Sequence, residues 1–264
     1  MKLVTKILKY ILVYGLLLVT PATVTAIILV VSAKTNDVTT GSDPVWDSPY
    51  MVPAIALGAL LNIIVFLWRR WAVIDLGRIR RLDVWMVVVM AFVLFLGWFF
   101  PEDLIQKIIQ VPDNISDEEF EHLAGGIVGL INTAILAPVA EELLCRGAIL
   151  GVLLKAIPRR PWVGIFVSAI IFGLVHLNPV QMVFGFFYGL LLGWLAWRTA
   201  SLLPSIVVHV ANNSTAMLMP DTVYNNINAM SRSTETIIVA LSLVILFFAF
   251  RWFARRYEKV TPEM

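Results

Sequence analysis

Residues 85–100 read WMVVVMAFVLFLGWFF. No charge interrupts them, and apolar positions do not alternate with polar ones. A strand of a transmembrane barrel alternates over segments of about ten residues, and a surface helix of a soluble domain carries a polar face. A block of this kind is a helix in hydrocarbon. Seven further apolar runs lie near 10–31, 51–68, 123–140, 162–177, 180–197, 202–219 and 236–253. Crossing a hydrocarbon core of about 30 Å takes about 20 helical residues. The runs therefore predict an all-α polytopic membrane protein with about eight transmembrane helices.

The whole chain agrees with its parts. Of 264 residues, 59% are apolar and 14% charged, and the mean hydropathy is +0.86. Soluble domains carry about 25% charged residues, so too few are present here to cover a soluble surface. A soluble enzyme, a disordered chain and a nucleic-acid-binding domain are excluded, and membrane lipid is the expected surrounding. The formal net charge of +2 implies no long-range steering of an anionic partner. The single cysteine, Cys145, rules out an internal disulfide and any multi-cysteine metal site.

Lys and Arg in the loops set the orientation. Lys2, Lys6 and Lys9 precede the first run, and five arginines between Arg69 and Arg81 follow the second. Lys155, Arg159 and Arg160 follow the fourth run, Arg198 the sixth, and Arg251, Arg255, Arg256 and Lys259 close the chain. With eight spans, sixteen of the twenty basic residues fall on one side and three, Lys34, Lys107 and Arg232, on the other. Both termini are then cytoplasmic. The opposite side is acidic, with Asp37, Asp43 and Asp47 in one loop and a second, solvated loop running from Glu102 and Asp103 to Glu121 and including the surface residue His122. The first run continues past Val24-Thr25-Ala26 to Val31, whereas a cleaved signal stops at such a site. It reads as an uncleaved span. A compact chain with short loops fits a prokaryotic cell membrane.

Ionisable groups inside spans are costly and mark function. Here they gather in three places: Glu141-Glu142-Leu143-Leu144-Cys145-Arg146-Gly147, Phe172-Gly173-Leu174-Val175-His176, and His209-Val210-Ala211-Asn212-Asn213. Glu142 and Arg146 are four apart on one helix face and can pair. Glu141 is turned about 100° from Glu142 and is left for chemistry. Phe172 shares a face with His176, as does His209 with Asn213. Three helices thus aim a carboxylate, two imidazoles and an amide at one cavity. A carboxylate and an imidazole can hold and deprotonate a water, and an imidazole and an amide can donate to a developing oxyanion. Cys145 reads as a buried structural thiol. Asn62 and Asn132 read as interhelical hydrogen bonders, and Asn178-Pro179 as the turn between the fifth and sixth spans.

The order Glu-Glu-xxx-Arg, Phe-xxx-His, His-xxx-Asn resembles the CPBP family of intramembrane proteases, the CAAX-protease and bacteriocin-processing (Abi-type) family that includes the type II CAAX prenyl endopeptidase. The likeness covers Pro138 to Asn213 and takes in Gly147 and Ser201-Leu202-Leu203-Pro204. It implies a catalytic core at 121–220, preceded by transmembrane helices and the acidic outer loop (1–120) and followed by a last helix and basic tail (221–264). It implies further that Glu141 and His176 activate water, that His209 and Asn213 form the oxyanion hole, and that Glu142, Arg146 and Phe172 support the site. The substrate would be a membrane-associated peptide or protein, prenylated or not. No cofactor is expected. Glu141, His176 and His209 are residue types that ligate zinc, but no His-Glu-xxx-His pair stands on one helix, and the family's mechanism is glutamate-dependent water activation. The alternatives are a catalytically silent scaffold or bacteriocin-immunity protein of the same fold, and a transporter, which is disfavoured by the lack of matched inverted halves.

Overall fold

A computed structural model describes residues 2–35, 48–75, 83–109 and 125–257. Among these residues every regular element is helical: α1 (Lys2–Thr35), α2 (Met51–Trp68), α3 (Val84–Ile109), α4 (Gly126–Ala156), α5 (Pro161–Leu174), α6 (Pro179–Thr199), α7 (Leu203–Leu218), α8 (Asp221–Asn228) and α9 (Arg232–Arg256). The arrangement follows from the solvent. In hydrocarbon a backbone N–H or C=O has no water to bond, and a helix satisfies both within itself. Six helices, α1, α2, α3, α4, α6 and α9, are long and apolar enough to cross a membrane. At 14 and 16 residues, α5 and α7 are shorter. The residues of the acidic loops at 36–47 and 110–124, His122 included, and the arginines at 78, 80 and 81 lie outside the described residues.

α4 is the centre, lying against α1, α2, α5, α6 and α7. Its Leu143, Leu144, Cys145, Ala148 and Ile149 are fully buried, so Cys145 is the interior thiol expected of it. α5 and α6 form a tight hairpin. A Cβ on Gly173 would stand 2.5 Å from the Met182 carbonyl oxygen, and one on Gly189 would stand 3.0 Å from Ala169. α3 packs along α9 and α1 along α2. As expected, Asn62 ties α1 to α2, donating to the Tyr14 carbonyl at 3.2 Å.

Four expectations need correction. Glu102, Asp103 and Lys107 are not loop residues, because α3 runs through Pro101 to Ile109. Proline removes one backbone bond, which membrane helices tolerate, and the charges that follow are paired: Lys107 meets Asp103 at 2.7 Å and Glu235 of α9 at 3.0 Å. The fourth run does not end at residue 140. α4 carries Glu141 and Glu142 in its interior and spans 31 residues, about 46 Å at 1.5 Å per residue, so it overruns a 30 Å core. The fifth helix stops at Leu174, and His176 stands in the turn beyond it. Asn132 is buried, but no hydrogen bond of its side chain is found among the described residues, whereas the Asn62 amide N–H finds Tyr14 O. The turn at Asn178-Pro179 is as expected: the Asn178 side chain caps α6 by accepting from the Gln181 N–H at 3.1 Å.

Candidate active site

α4 is not a uniform α-helix. Two π-helical turns, Asn132–Leu136 and Leu143–Leu150, flank the α-helical segment that ends in Glu141 and Glu142. A π turn widens the helix and releases a carbonyl from its usual partner, and such turns recur at functional sites. Both turns here have a carbonyl bound by a neighbouring helix. The Thr133 oxygen accepts from Asn213 Nδ2 of α7 at 3.0 Å, and the Cys145 oxygen accepts from the buried Ser168 hydroxyl of α5 at 2.8 Å. These two bonds dock α4 to the helices that carry Asn213 and lead to His176.

The two glutamates diverge as their spacing requires. Glu142 points inward: its side chain and that of Arg146 are both 0% exposed, and they pair at 2.7 Å. Arg146 also donates to the Gly189 carbonyl at 3.2 Å and lies over the Phe172 ring at 4.2 Å. Glu142 Oε1 accepts a second bond, from His209 Nδ1 at 3.1 Å. Glu141 is turned away and keeps 16% of its side chain exposed. Its Oε2 faces Nε2 of His209 at 3.6 Å and Nε2 of His176 at 3.9 Å.

His176 is held by the end of its helix. The last carbonyls of a helix lack intrahelical partners, and His176 Nδ1 donates to one of them, Phe172 O, at 2.7 Å. Leu177 then takes a positive φ of 57°, which turns the chain toward α6. The Phe172 ring meets both imidazoles edge to face, at 4.9 Å from His176 and 5.4 Å from His209. Phe172 is thus a wall common to both histidines and to Arg146.

These contacts assign the ring protons. The Phe172 carbonyl and the Arg146-paired Glu142 carboxylate only accept, so each Nδ1 carries a hydrogen. In the neutral rings both Nε2 atoms then turn a lone pair toward Glu141. Gaps of 3.6 and 3.9 Å are too long for direct bonds and invite a bridging water.

Six of the seven residues read from the sequence therefore meet: Glu141, Glu142, Arg146, Phe172, His176 and His209. Asn213 stands one turn beyond His209 on α7, with one amide hydrogen engaged by Thr133 O and the second available. The sequence reading missed three contributors. Tyr188 packs edge to face on His209 at 5.8 Å and donates to the Val208 carbonyl at 2.9 Å. The Gly189 carbonyl and the Ser168 hydroxyl were missed too. None is visible as a motif, since each looks like ordinary helix interior. Gly147, noted only as part of the resemblance, has a reason: a Cβ there would lie 2.3 Å from that of Ala72, in the segment after α2. Among the described residues no group of three or more His, Cys, Asp and Glu side chains is set out as metal ligands.

No curated protein and no solved structure matches the chain. Residues 123–215 match the family model described as type II CAAX prenyl endopeptidase Rce1-like, a segment that holds all seven residues above. Over that segment, well under half of the chain, the sequence is similar to the Rce1-like CAAX-protease family.

Proposed function

We propose that the protein is an intramembrane endopeptidase that cleaves a peptide bond of a membrane-associated peptide or protein with water activated by Glu141. The observation that carries this is the convergence of Glu141 Oε2 and the two Nε2 atoms, 3.6 and 3.9 Å apart, close enough for one water seated beside them to bond the carboxylate and a ring. Glu141, helped by His176, takes a proton from the water as its oxygen adds to the scissile carbonyl carbon. The oxyanion accepts from Asn213 Nδ2 and from His209 Nε2. Because His209 Nδ1–H is committed to Glu142, Nε2 donates to the oxyanion in the form of the ring that carries both protons. The proton on Glu141 then passes to the leaving amine, and the products are a carboxylate and an amine. Glu142, Arg146 and Phe172 keep His209 in place.

The mechanism proposed uses no metal. All eight helices that correspond to the apolar runs are proposed to enter the bilayer with both termini cytoplasmic. This is supported by the distribution of Lys and Arg and is checked by labelling single cysteines placed in each loop.

The test of function uses purified protein in detergent with quenched prenylated and unprenylated peptides. Glu141→Gln is expected to lower the rate by about 10²–10⁴-fold, the usual contribution of a general base, with an unchanged melting midpoint. A strong chelator is expected to change nothing. Equal cleavage by wild type and Glu141→Gln refutes the proposal, and loss to chelator with rescue by zinc refutes its metal-free form.

A further inference from the structure

At the Lys-rich end of α1, Lys9 and Arg69 both lie near one indole, and Arg69 also lies 5.7 Å from the Trp68 ring centre. The Lys9 ammonium is 5.1 Å and the Arg69 guanidinium 5.9 Å from the Trp71 ring centre. Both cations are exposed, and among the described residues neither is paired with a carboxylate. The indole is fixed. Arg70 takes a positive φ of 51°, a conformation that is uncommon for a residue with a side chain. That bend folds the chain back so that the Trp71 N–H reaches the Phe66 carbonyl at 3.0 Å. The Trp71 ring then packs on Tyr10 at 5.1 Å and on Phe66 at 5.3 Å. Beside it Trp68 is 75% exposed, as suits an indole at the level of lipid headgroups.

Below this cationic end the outer face of α1 is grooved. Two shallow grooves of about 550 and 630 Å³ meet at Ile11 and Leu12, the first including Lys9 and the second running past Gly15 to Val24. Gly15 makes the notch, since nothing lies within 4 Å of where its Cβ would be. The Thr20 hydroxyl is taken up by the Leu16 carbonyl of its own helix at 2.6 Å, and the lining is mainly aliphatic. Ile11 to Val24 is about 20 Å of helix, longer than one leaflet of a 30 Å hydrocarbon core.

We infer that Lys9, Arg69 and Trp71 form the headgroup end of a binding site for an anionic phospholipid, with an acyl chain along the groove of α1. Charge complementarity selects the occupant: two exposed cations, neither paired with a carboxylate among the described residues, at the mouth of an apolar groove suit a phosphodiester carrying a chain. The site is joined to α4. Ala72, the residue after Trp71, is buried against Gly147, which directly follows Arg146. A bound headgroup therefore braces the helix that holds the Glu142–Arg146 pair.

The test uses full-length protein in phosphatidylcholine vesicles doped with a photoactivatable phosphatidylglycerol, and the label is mapped by mass spectrometry. Label on α1 is expected, competed by phosphatidylglycerol but not by phosphatidylcholine or inorganic phosphate. Each cation near a membrane surface contributes about fivefold in affinity, so Lys9→Gln with Arg69→Gln is expected to weaken labelling by about 30-fold. Its melting midpoint in phosphatidylcholine alone is expected to match wild type. If the double variant does not fold, Lys9→Gln alone serves, with about a fivefold loss. Labelling unchanged in either variant, equal competition by phosphatidylcholine, or label spread evenly over all helices overturns the site. Competition by inorganic phosphate overturns the role of the groove.

Discussion

Arg146→Met tests the buried centre of the site. The substitution keeps most of the side-chain volume and removes the charge, leaving the fully buried Glu142 with His209 as its hydrogen-bond partner. Removing one member of a buried ion pair costs about 3–5 kcal/mol. The lost bond to Gly189 O and the lost contact with the Phe172 ring fall within that figure, because neighbouring contributions do not add. At about 2–4 °C per kcal/mol for a chain of this length, the midpoint is expected to fall by about 10 °C. The second variant, Glu142→Leu with Arg146→Met, removes both charges. Apolar replacement of a whole buried pair is often neutral or stabilising, so the midpoint is expected to return close to wild type. Activity is not expected to return, because His209 Nδ1 has lost its acceptor. Apparent midpoints are measured in one detergent at one heating rate, since irreversible unfolding makes them depend on scan rate, and peptide cleavage is followed on the same preparations. An Arg146→Met protein that melts with wild type, or a double variant that melts no higher than Arg146→Met, refutes the reasoning.

Gly147→Ala places a methyl 2.3 Å from that of Ala72 and is expected to cost about 1–3 kcal/mol by overpacking; Ala72→Gly in the same chain is expected to restore the midpoint. Ser168→Ala leaves the buried Cys145 carbonyl without its side-chain donor and is expected to lower stability by about 1–3 kcal/mol, read as a lower melting midpoint. Asn62→Leu removes the bond to Tyr14 O, with an expected loss of about 0.6–1.7 kcal/mol and unchanged cleavage. Partial burial opposes the charge on Lys107, but the hydrogen bonds and charges of Asp103 and Glu235 outweigh it and hold the ammonium above the usual lysine range. A raised lysine stabilises below its ordinary pKa and loses that effect as pH rises through the folded value. A melting series above pH 10 is therefore expected to show a small alkaline loss, under about 1 kcal/mol for an exposed pair, that Lys107→Met abolishes.

The fold class was legible because hydrocarbon imposes a rule that needs no tertiary information. An apolar run without charges must satisfy its own backbone, and the block at 85–100 and its seven companions do so as helices. The Glu142–Arg146 pair was legible for a similar reason, since positions four apart on a helix share a face wherever that helix sits. The same local geometry turned Glu141 away from Glu142 before any neighbour was known. Local rules failed where a partner elsewhere in the chain changed the balance. α3 continues through Pro101 because Lys107 finds Glu235 on α9. α4 continues through two glutamates because Arg146 and His209 neutralise one of them.

The arrangement of the site belongs to the tertiary structure alone. Spacing could not say that His209 lies between the two glutamates, that His176 caps the end of its helix on a turn, or that two π turns in α4 offer carbonyls to Asn213 and Ser168. Nor could it distinguish Tyr188 or Gly189 from any other residue of a helix interior. Sequence by itself determined which segments are apolar helices suited to a membrane and which side chains share a helix face, because those depend on transfer from water and on a period of 3.6 residues. Only the packed structure decided which atoms meet and which ring nitrogens face Glu141, because a hydrogen bond acts over about 3 Å between residues that in this site are as far apart in the chain as Glu142 and His209.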